Sequence, residues 1–327
     1  MTSHQVDRLA PGDSVDQVLL LIERQVRLNR QGAPYLQLEF RDRTGTVEGR
    51  FWNAGEELAR RFEPGDFVQA RGKVQSFQGG IQLIVSALEA VDPATVDPAD
   101  YLPPAIEDAD LLLARLRDVL LGLHSPPLRG LMECFLIDDE LMARYREAPA
   151  GVRIHHAYRG GLLEHVVTML ELAERVAPLY PDLDRDLLLA GVFLHDIGKI
   201  DELTYKHTFG YSDEGQLVGH LVMGVCLLRE KVARVVELLG EPFPEELRLR
   251  LEHMIVSHHG ALEQGSPKVP MTPEAIALHC LDTLDSKLHA AVREIRDAPA
   301  GAEWTTFNAS LNRRLYRGAP EGAAVGG

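Results

Sequence analysis

Between residues 165 and 282, segments with the apolar spacing of helices are interrupted by histidine and aspartate: His165, the doublet His195-Asp196, His220, the doublet His258-His259, and Asp282. Histidine offers a neutral ring nitrogen, and aspartate a hard oxygen that can bridge two cations. The ordered set therefore reads as a two-metal hydrolase site, with a donor mixture that suits Mn, Fe, Co, Ni or Zn. Taken singly, each residue would be an ordinary structural or surface side chain, and only the convergence of the set carries the inference. Asp282 and Asp285 lie within one helical turn, so either could supply the last ligand. His279, on the same stripe, is expected to support the site or to be structural.

The segments around these residues repeat at helical spacing, as in Leu112, Leu116, Val119 and Leu120, or Leu162, Val166, Leu170 and Ala173. A helix begun at Asp184 or Arg185 should bury Leu187 to Leu194 and carry His195-Asp196 into the interior. Thr204 to Gln216 is expected to form a loop or small hairpin. The chain before this region follows another period. From Ser14 to Val91 apolar and polar residues alternate, with Leu36, Leu38 and Phe40 on one face and Tyr35, Gln37 and Glu39 on the other. Turn residues at 29–32, 42–45, 63–66 and 78–80 divide it into about five strands, with a short helical insert from Gly55 to Arg61 between the third and fourth. That is the order of an OB-fold barrel. The run from Tyr35 to Asp42, followed by Gly45, Trp52, Gly65-Asp66 and Val74, resembles the OB domains of nucleic-acid-binding proteins. Asp92 to Pro104, rich in proline and aspartate, reads as a linker. The expected organisation is multidomain: an N-terminal all-β OB-fold barrel over 14–91, a linker over 92–104, a predominantly α-helical domain over 105–317, and a disordered Gly/Ala-rich tail over 318–327.

A net charge of −15 argues against a broad basic face for duplex nucleic acid, though not against a narrow basic channel. The acidity is uneven: up to residue 95 there are 11 basic against 13 acidic residues, and beyond it 23 against 36. The barrel is the better place for a single strand, which stacks bases on aromatic rings and tracks its backbone with cations. Candidates are Tyr35, Trp52 and Phe77 with Arg41, Arg50, Arg71 and Lys73. No apolar run approaches the roughly 20 residues of a membrane-spanning helix. The N-terminus, with Asp7, Asp13 and Asp16, is unlike a signal peptide, so a cytoplasmic protein is expected. Cys134, Cys226 and Cys280 are expected to be small buried apolar residues. Trp304 to Tyr316 is expected to pack on the helical domain.

The words from His155 to His165 (HHAYRGGLLEH) and from Asp213 to His220 (DEGQLVGH), with the His/Asp series, resemble the YhaM-type 3′-to-5′ exoribonucleases. These are two-metal HD-domain phosphohydrolases with an N-terminal OB-fold, and the resemblance spans about Ser14 to Arg317. It implies one metal, Mn²⁺ before the other candidates, on His165, His195, Asp196 and Asp282. The second would be held by Asp196, His220, His258 and His259, with Asp196 as the bridge. The implied reaction is attack of a metal-bridging hydroxide on the terminal 3′ phosphodiester of single-stranded RNA, with single-stranded DNA as a further substrate. The product would be nucleoside 5′-monophosphates. Lys199 would face the phosphate, and His155, His156 and Arg159 are further phosphate candidates. Two other readings stay open: an HD phosphohydrolase of small or cyclic nucleotides, and a replication-associated single-strand-binding protein with a vestigial HD domain.

Overall fold

The computed structural model describes residues 5–77, 80–97, 100–101, 108–152, 158–205, 209–298, 302–308 and 311–318. Its N-terminal unit is the five-stranded closed barrel expected from the alternation. The strands are β1 (Ser14–Leu28), β2 (Pro34–Asp42), β3 (Gly45–Trp52), β4 (Phe67–Phe77) and β5 (Gly80–Ala90), in the order β1-β2-β3-β5-β4. β4 returns to pair with β1, and β3 runs parallel to β5. Closure leaves no open edge. Leu36, Leu38 and Phe40 point inward and are essentially fully buried, while Tyr35, Gln37 and Glu39 face out, as period-two geometry requires. The tight β2–β3 connection is held by Asp42, whose Oδ1 accepts from the Thr44 N–H, the Thr44 hydroxyl and the Gly45 N–H. A single short helix, α1 (Glu56–Ala59), falls between β3 and β4.

The chain divides into two compact units between Pro104 and Ala105. The segment read as a linker is not wholly free of the barrel. Asp92 caps a short 3-10 turn at Pro93–Thr95, the Arg43 N–H donates to the Asp100 carbonyl, and the Tyr101 ring lies edge-on to Phe67 at 4.9 Å. An apolar ring gains by covering another.

The second unit is built from helices α2 (Ala109–Leu121), α3 (Pro126–Leu136), α4 (Asp139–Glu147), α5 (Gly161–Val176), α6 (Arg185–Leu194), α7 (Lys199–Glu202), α8 (Asp213–Leu217), α9 (His220–Leu239), α10 (Glu245–Ser257) and α11 (Pro273–Asp297). Two two-residue strands, β6 (Leu203–Thr204) and β7 (Gly210–Tyr211), form the small hairpin expected between Thr204 and Gln216. α6 is the central element. All residues from Leu187 to Leu194 are buried, and the helix packs against α3, α5, α10 and α11. A helix that is apolar all round can only be a core helix. Side chains fix several starts: Asp138 caps α4, Asp184 caps α6, Ser212 caps α8 and Thr272 caps α11.

Among the described residues no helix is long and apolar enough to cross a membrane. The cysteine expectation holds for one residue of three: Cys134 is buried, but Cys226 on α9 and Cys280 on α11 are exposed. Both sit on the solvent side of an amphipathic helix, where helical phase decides burial regardless of residue type. The C-terminal segment forms two isolated bridges, Trp304 with Tyr316 and Asn308 with Arg313, and Asn308 Nδ2 donates to Glu294 of α11. Apart from Gly318, the tail expected to be disordered lies outside the described residues.

Candidate metal centre and nucleic-acid interface

α6 delivers the central pair of the helical unit. His195 is its C-terminal cap, and Asp196 begins the turn into α7, so both emerge where the buried helix ends; they are 0% and 2% exposed. Asp196 therefore lies in a turn after the helix, which frees its carboxylate from the side-chain direction that helical geometry imposes. Around it stand His165 from α5, His220 from the first position of α9, His258 and His259 from the end of α10, and Asp282 from α11. Three groups have ligand atoms within 4.8 Å of one another: His220, His258 and His259; His165, His195 and Asp282; His195, Asp196 and His258. Asp196 Oδ2 lies 3.3 Å from His195 Nε2, and Asp196 Oδ1 lies 3.5 Å from Nε2 of both His220 and His258.

All five rings are tied from behind through Nδ1. His195 donates to the Val192 carbonyl at 2.8 Å, His258 to the Ile255 carbonyl at 2.8 Å, and His259 to the Gln264 carbonyl at 3.1 Å. His165 donates to Asp285 Oδ2 at 2.7 Å, and His220 to Glu202 Oε1 at 2.9 Å. A carbonyl or carboxylate behind Nδ1 fixes the proton there and leaves the Nε2 lone pair for a cation. Asp285 thus occupies the far side of the His165 ring, and Asp282, whose Oδ1 is 3.4 Å from His165 Nε2, the side that faces the cluster. His279 Nδ1 donates to the His258 carbonyl at 2.7 Å and braces the turn carrying the doublet.

The electrostatics are those of a site built for positive charge. Burial opposes ionisation of Asp196, but Lys199 and His195 outweigh it and hold the carboxyl well below its ordinary range. Asp282 is likewise held down, against its burial, by its contact with His165. Burial pushes His258 down to about 4 and lowers His259. Burial also pulls on His165, but Asp282 and Asp285 overcome it and hold that ring up at about 9. A cation between His165 and Asp282 would take the place of that proton. Asp196 Oδ1 and His220 Nε2 are buried with no hydrogen-bond partner. Two orphaned buried acceptors 3.5 Å apart, in a ring of Nε2 atoms and carboxylates, fit a divalent metal ion.

Lys199 places Nζ 2.6 Å from Asp196 Oδ2. Burial works against its charge, but Asp196 more than compensates and raises its pKa. Arg159 is half-buried just before α5, and His155 and His156 lie outside the described residues. Two participants had no signal in the sequence. Glu202 meets His220 across 18 positions, through a hairpin and a short helix that no periodicity connects. At Gly198 a Cβ would stand 2.2 Å from the His220 carbonyl oxygen, so only glycine lets the turn after Asp196 approach the start of α9.

On the barrel, Tyr35 and Trp52 are register partners with ring centroids 4.8 Å apart. The Arg50 guanidinium lies 4.3 Å from the Phe77 ring centroid and 5.8 Å from those of Tyr35 and Trp52, and its Nε is buried without a hydrogen-bond partner. Arg50 is beside Ile84, and Ile84 beside Lys73, so both cations share one register row. The Arg71 guanidinium is engaged by Asp16 at 3.1 Å and Glu89 at 2.9 Å on the neighbouring strands. Arg41 lies opposite Thr46 and Leu20.

Barrel and metal cluster together define an OB-fold protein joined to a helical phosphohydrolase-type domain. Residues 22–91 match the family described as OB-fold nucleic acid binding domain, and residues 162–287 match the HD domain, a metal-dependent family. The chain is 34% identical over 307 residues to the 3′-5′ exoribonuclease YhaM of Bacillus subtilis (strain 168), covering 94% of this chain and 95% of that protein. It is 33% identical over 307 residues to the 3′-5′ exoribonuclease YhaM of Geobacillus sp. (strain WCH70), covering 94% and 92%. A domain of replication protein A from Methanococcus maripaludis aligns with 28% of this chain and 97% of its own length, at 21% identity and a TM-score of 0.25. The chain belongs to the YhaM 3′-5′ exoribonuclease family.

Proposed function

We propose that this protein is a metal-dependent 3′-to-5′ exoribonuclease that shortens single-stranded RNA to nucleoside 5′-monophosphates, with single-stranded DNA as a secondary substrate. The observation that carries the reading is the convergence of five histidines, each with Nδ1 tied from behind, on Asp196 and Asp282. Family membership supports the substrate class.

Two divalent ions, with manganese the leading candidate, would be held by His165, His195, Asp196 and Asp282 on one side and Asp196, His220, His258 and His259 on the other. Asp196 has one oxygen toward His195 and the other toward His220 and His258, which supports its role as the bridge. When bound, such ions supply Lewis acidity, lowering the pKa of water and offsetting phosphate charge. The chain's own residues do the positioning. Backbone carbonyls and carboxylates hold the imidazoles in one tautomer, so no reorganisation is needed when charge develops. Lys199, with its ammonium kept protonated beside Asp196, provides a fixed positive charge for the phosphate. On the barrel, Tyr35, Trp52 and Phe77 offer base-stacking faces, and Arg50 and Lys73 offer backbone charge. Arg159, with His155 and His156, would contact phosphates near the scissile bond.

The test uses a single-stranded RNA labelled at either end, incubated with the protein and Mn²⁺. A ladder shortening from the 3′ end with release of nucleoside 5′-monophosphate is expected. Inactivity on this strand combined with hydrolysis of a cyclic dinucleotide would overturn the reading in favour of a small-nucleotide phosphohydrolase.

A further inference from the structure

Three of the five imidazoles, those of His195, His258 and His259, are oriented by main-chain carbonyls, so backbone geometry alone sets them. The other two are oriented by carboxylates, and they fall in opposite ligand groups: His165 on Asp285 and His220 on Glu202. A carboxylate does more than a carbonyl, because it raises the ring's basicity as well as fixing its tautomer.

Glu202 has a second task at the same atom. Its Oε1 accepts from the backbone N–H of His220 at 3.0 Å as well as from Nδ1 at 2.9 Å. His220 is the first residue of the 20-residue helix α9, and the preceding Gly219 makes no side-chain cap. The first backbone N–H groups of a helix have no intrahelical acceptor, and a negative charge there is favourable. One buried carboxylate thus caps α9 and aims its first side chain. Glu202 is itself anchored: the Ser212 N–H donates to its carbonyl at 2.9 Å, and a Cβ at Gly215 would stand 2.2 Å from that same oxygen. The β6–β7 hairpin and α8 hold Glu202 in place, and Glu202 in turn holds His220. The Nε2 that results is buried and unpartnered, facing the unpartnered Oδ1 of Asp196.

We infer that Glu202 is the positioning residue for the His220 half of the metal centre, so that this half holds its cation tightly only while the Glu202 carboxylate stands behind His220. The inference rests on the two-ion reading above.

The test is a Mn²⁺ titration of the chelator-stripped full chain, read as stoichiometry and affinity by calorimetry and elemental analysis, alongside the apo melting temperature. Wild type is expected to take up two ions. Glu202→Gln keeps an oxygen to cap α9 but loses the charge. It should stay folded, with an apo melting temperature lowered only as far as the loss of one helix-terminal charge requires, keep one tight ion, and bind the second about 10- to 100-fold more weakly. His220→Ala should weaken the same ion, while Asp285→Asn should weaken the other. Two ions of unchanged affinity in Glu202→Gln would overturn this inference alone. A single ion in wild type, unaffected by Glu202→Gln, would overturn both it and the two-ion reading. Equal weakening of both ions together with a lowered apo melting temperature would reduce Glu202 to a structural cap and also overturn it.

Discussion

Replacing Trp52 by alanine on the barrel should weaken single-strand binding without altering its salt dependence. Trp52 is 38% exposed and absent from the barrel's core cluster, so its removal leaves Leu36, Leu38 and Phe40 packed and the barrel folded. Stacking on an aromatic ring contributes about 1–3 kcal/mol per base. Tyr35, with its ring centroid 4.8 Å away, keeps part of the platform, so the lower part of that range applies, about 1–2 kcal/mol or roughly a 5- to 30-fold rise in Kd. Trp52→Phe should recover most of the loss. Arg50→Gln should act differently. Its guanidinium is the charge at the centre of the aromatic group, and losing one phosphate contact lowers the slope of log K against log salt by about 0.7 on a single strand. The assay is fluorescence anisotropy of a labelled RNA oligonucleotide across a salt series, with chelator present so that the strand stays intact. A Kd for Trp52→Ala within twofold of wild type, or an unchanged slope for Arg50→Gln, would refute the stacking-and-charge account of this face.

Asp196→Asn should abolish turnover while leaving RNA affinity, measured in chelator, unchanged; equal loss of both would refute the division of labour between barrel and helical domain. Lys199→Met should lower kcat by about 10²- to 10³-fold, the cost typical of deleting one preorganised charge-stabilising donor, with Mn²⁺ stoichiometry retained; an unchanged kcat excludes a role at the phosphate. Lys231 is buried, with Nζ 2.5 Å from Asp138 Oδ2, so Asp138→Ala strands its ammonium. Because Asp138 keeps 29% exposure, the ion-pair cost is the lower end of the buried-pair range, about 3 kcal/mol by chemical denaturation, with about 1 kcal/mol more for the lost α4 cap; Asp138→Ala combined with Lys231→Met should recover much of the first and none of the second. The bond from Lys231 holds the Asp138 carboxyl below its ordinary value of 3.8. A depressed carboxylate stabilises the fold above its unfolded pKa and loses that contribution as pH falls through the folded one. The stability difference between wild type and Asp138→Ala should therefore be full at pH 5 and above and shrink below about pH 4; a difference independent of pH would remove the ion pair as its source.

Much of the architecture was legible because it depends on periodicity. Alternation in Tyr35 to Phe40 and turn residues at regular intervals prescribe a small barrel, since one face of each strand must be dry. The apolar run from Leu187 to Leu194 prescribes a core helix, since no orientation of it has a wet side. The order of His165, His195-Asp196, His220, His258-His259 and Asp282 prescribes a metal cluster, since polar groups at the ends of buried helices need partners. Three-dimensional packing decided what spacing could not. Asp282 and Asp285 are equivalent along α11 until the His165 ring stands between them, with Asp285 on Nδ1 and Asp282 on Nε2. The cross-strand pairs of Arg71 with Asp16 and Glu89 join residues from three separate strands, which no spacing along the sequence relates. Cys226 and Cys280 follow helical phase rather than residue preference. Glu202 was invisible because its bond to His220 spans a hairpin and a short helix, and such long-range pairs have no period. Local sequence determines which faces are apolar and which residues can ligate; only the packed chain determines which nitrogen of each imidazole is tied and which is left to face a cation.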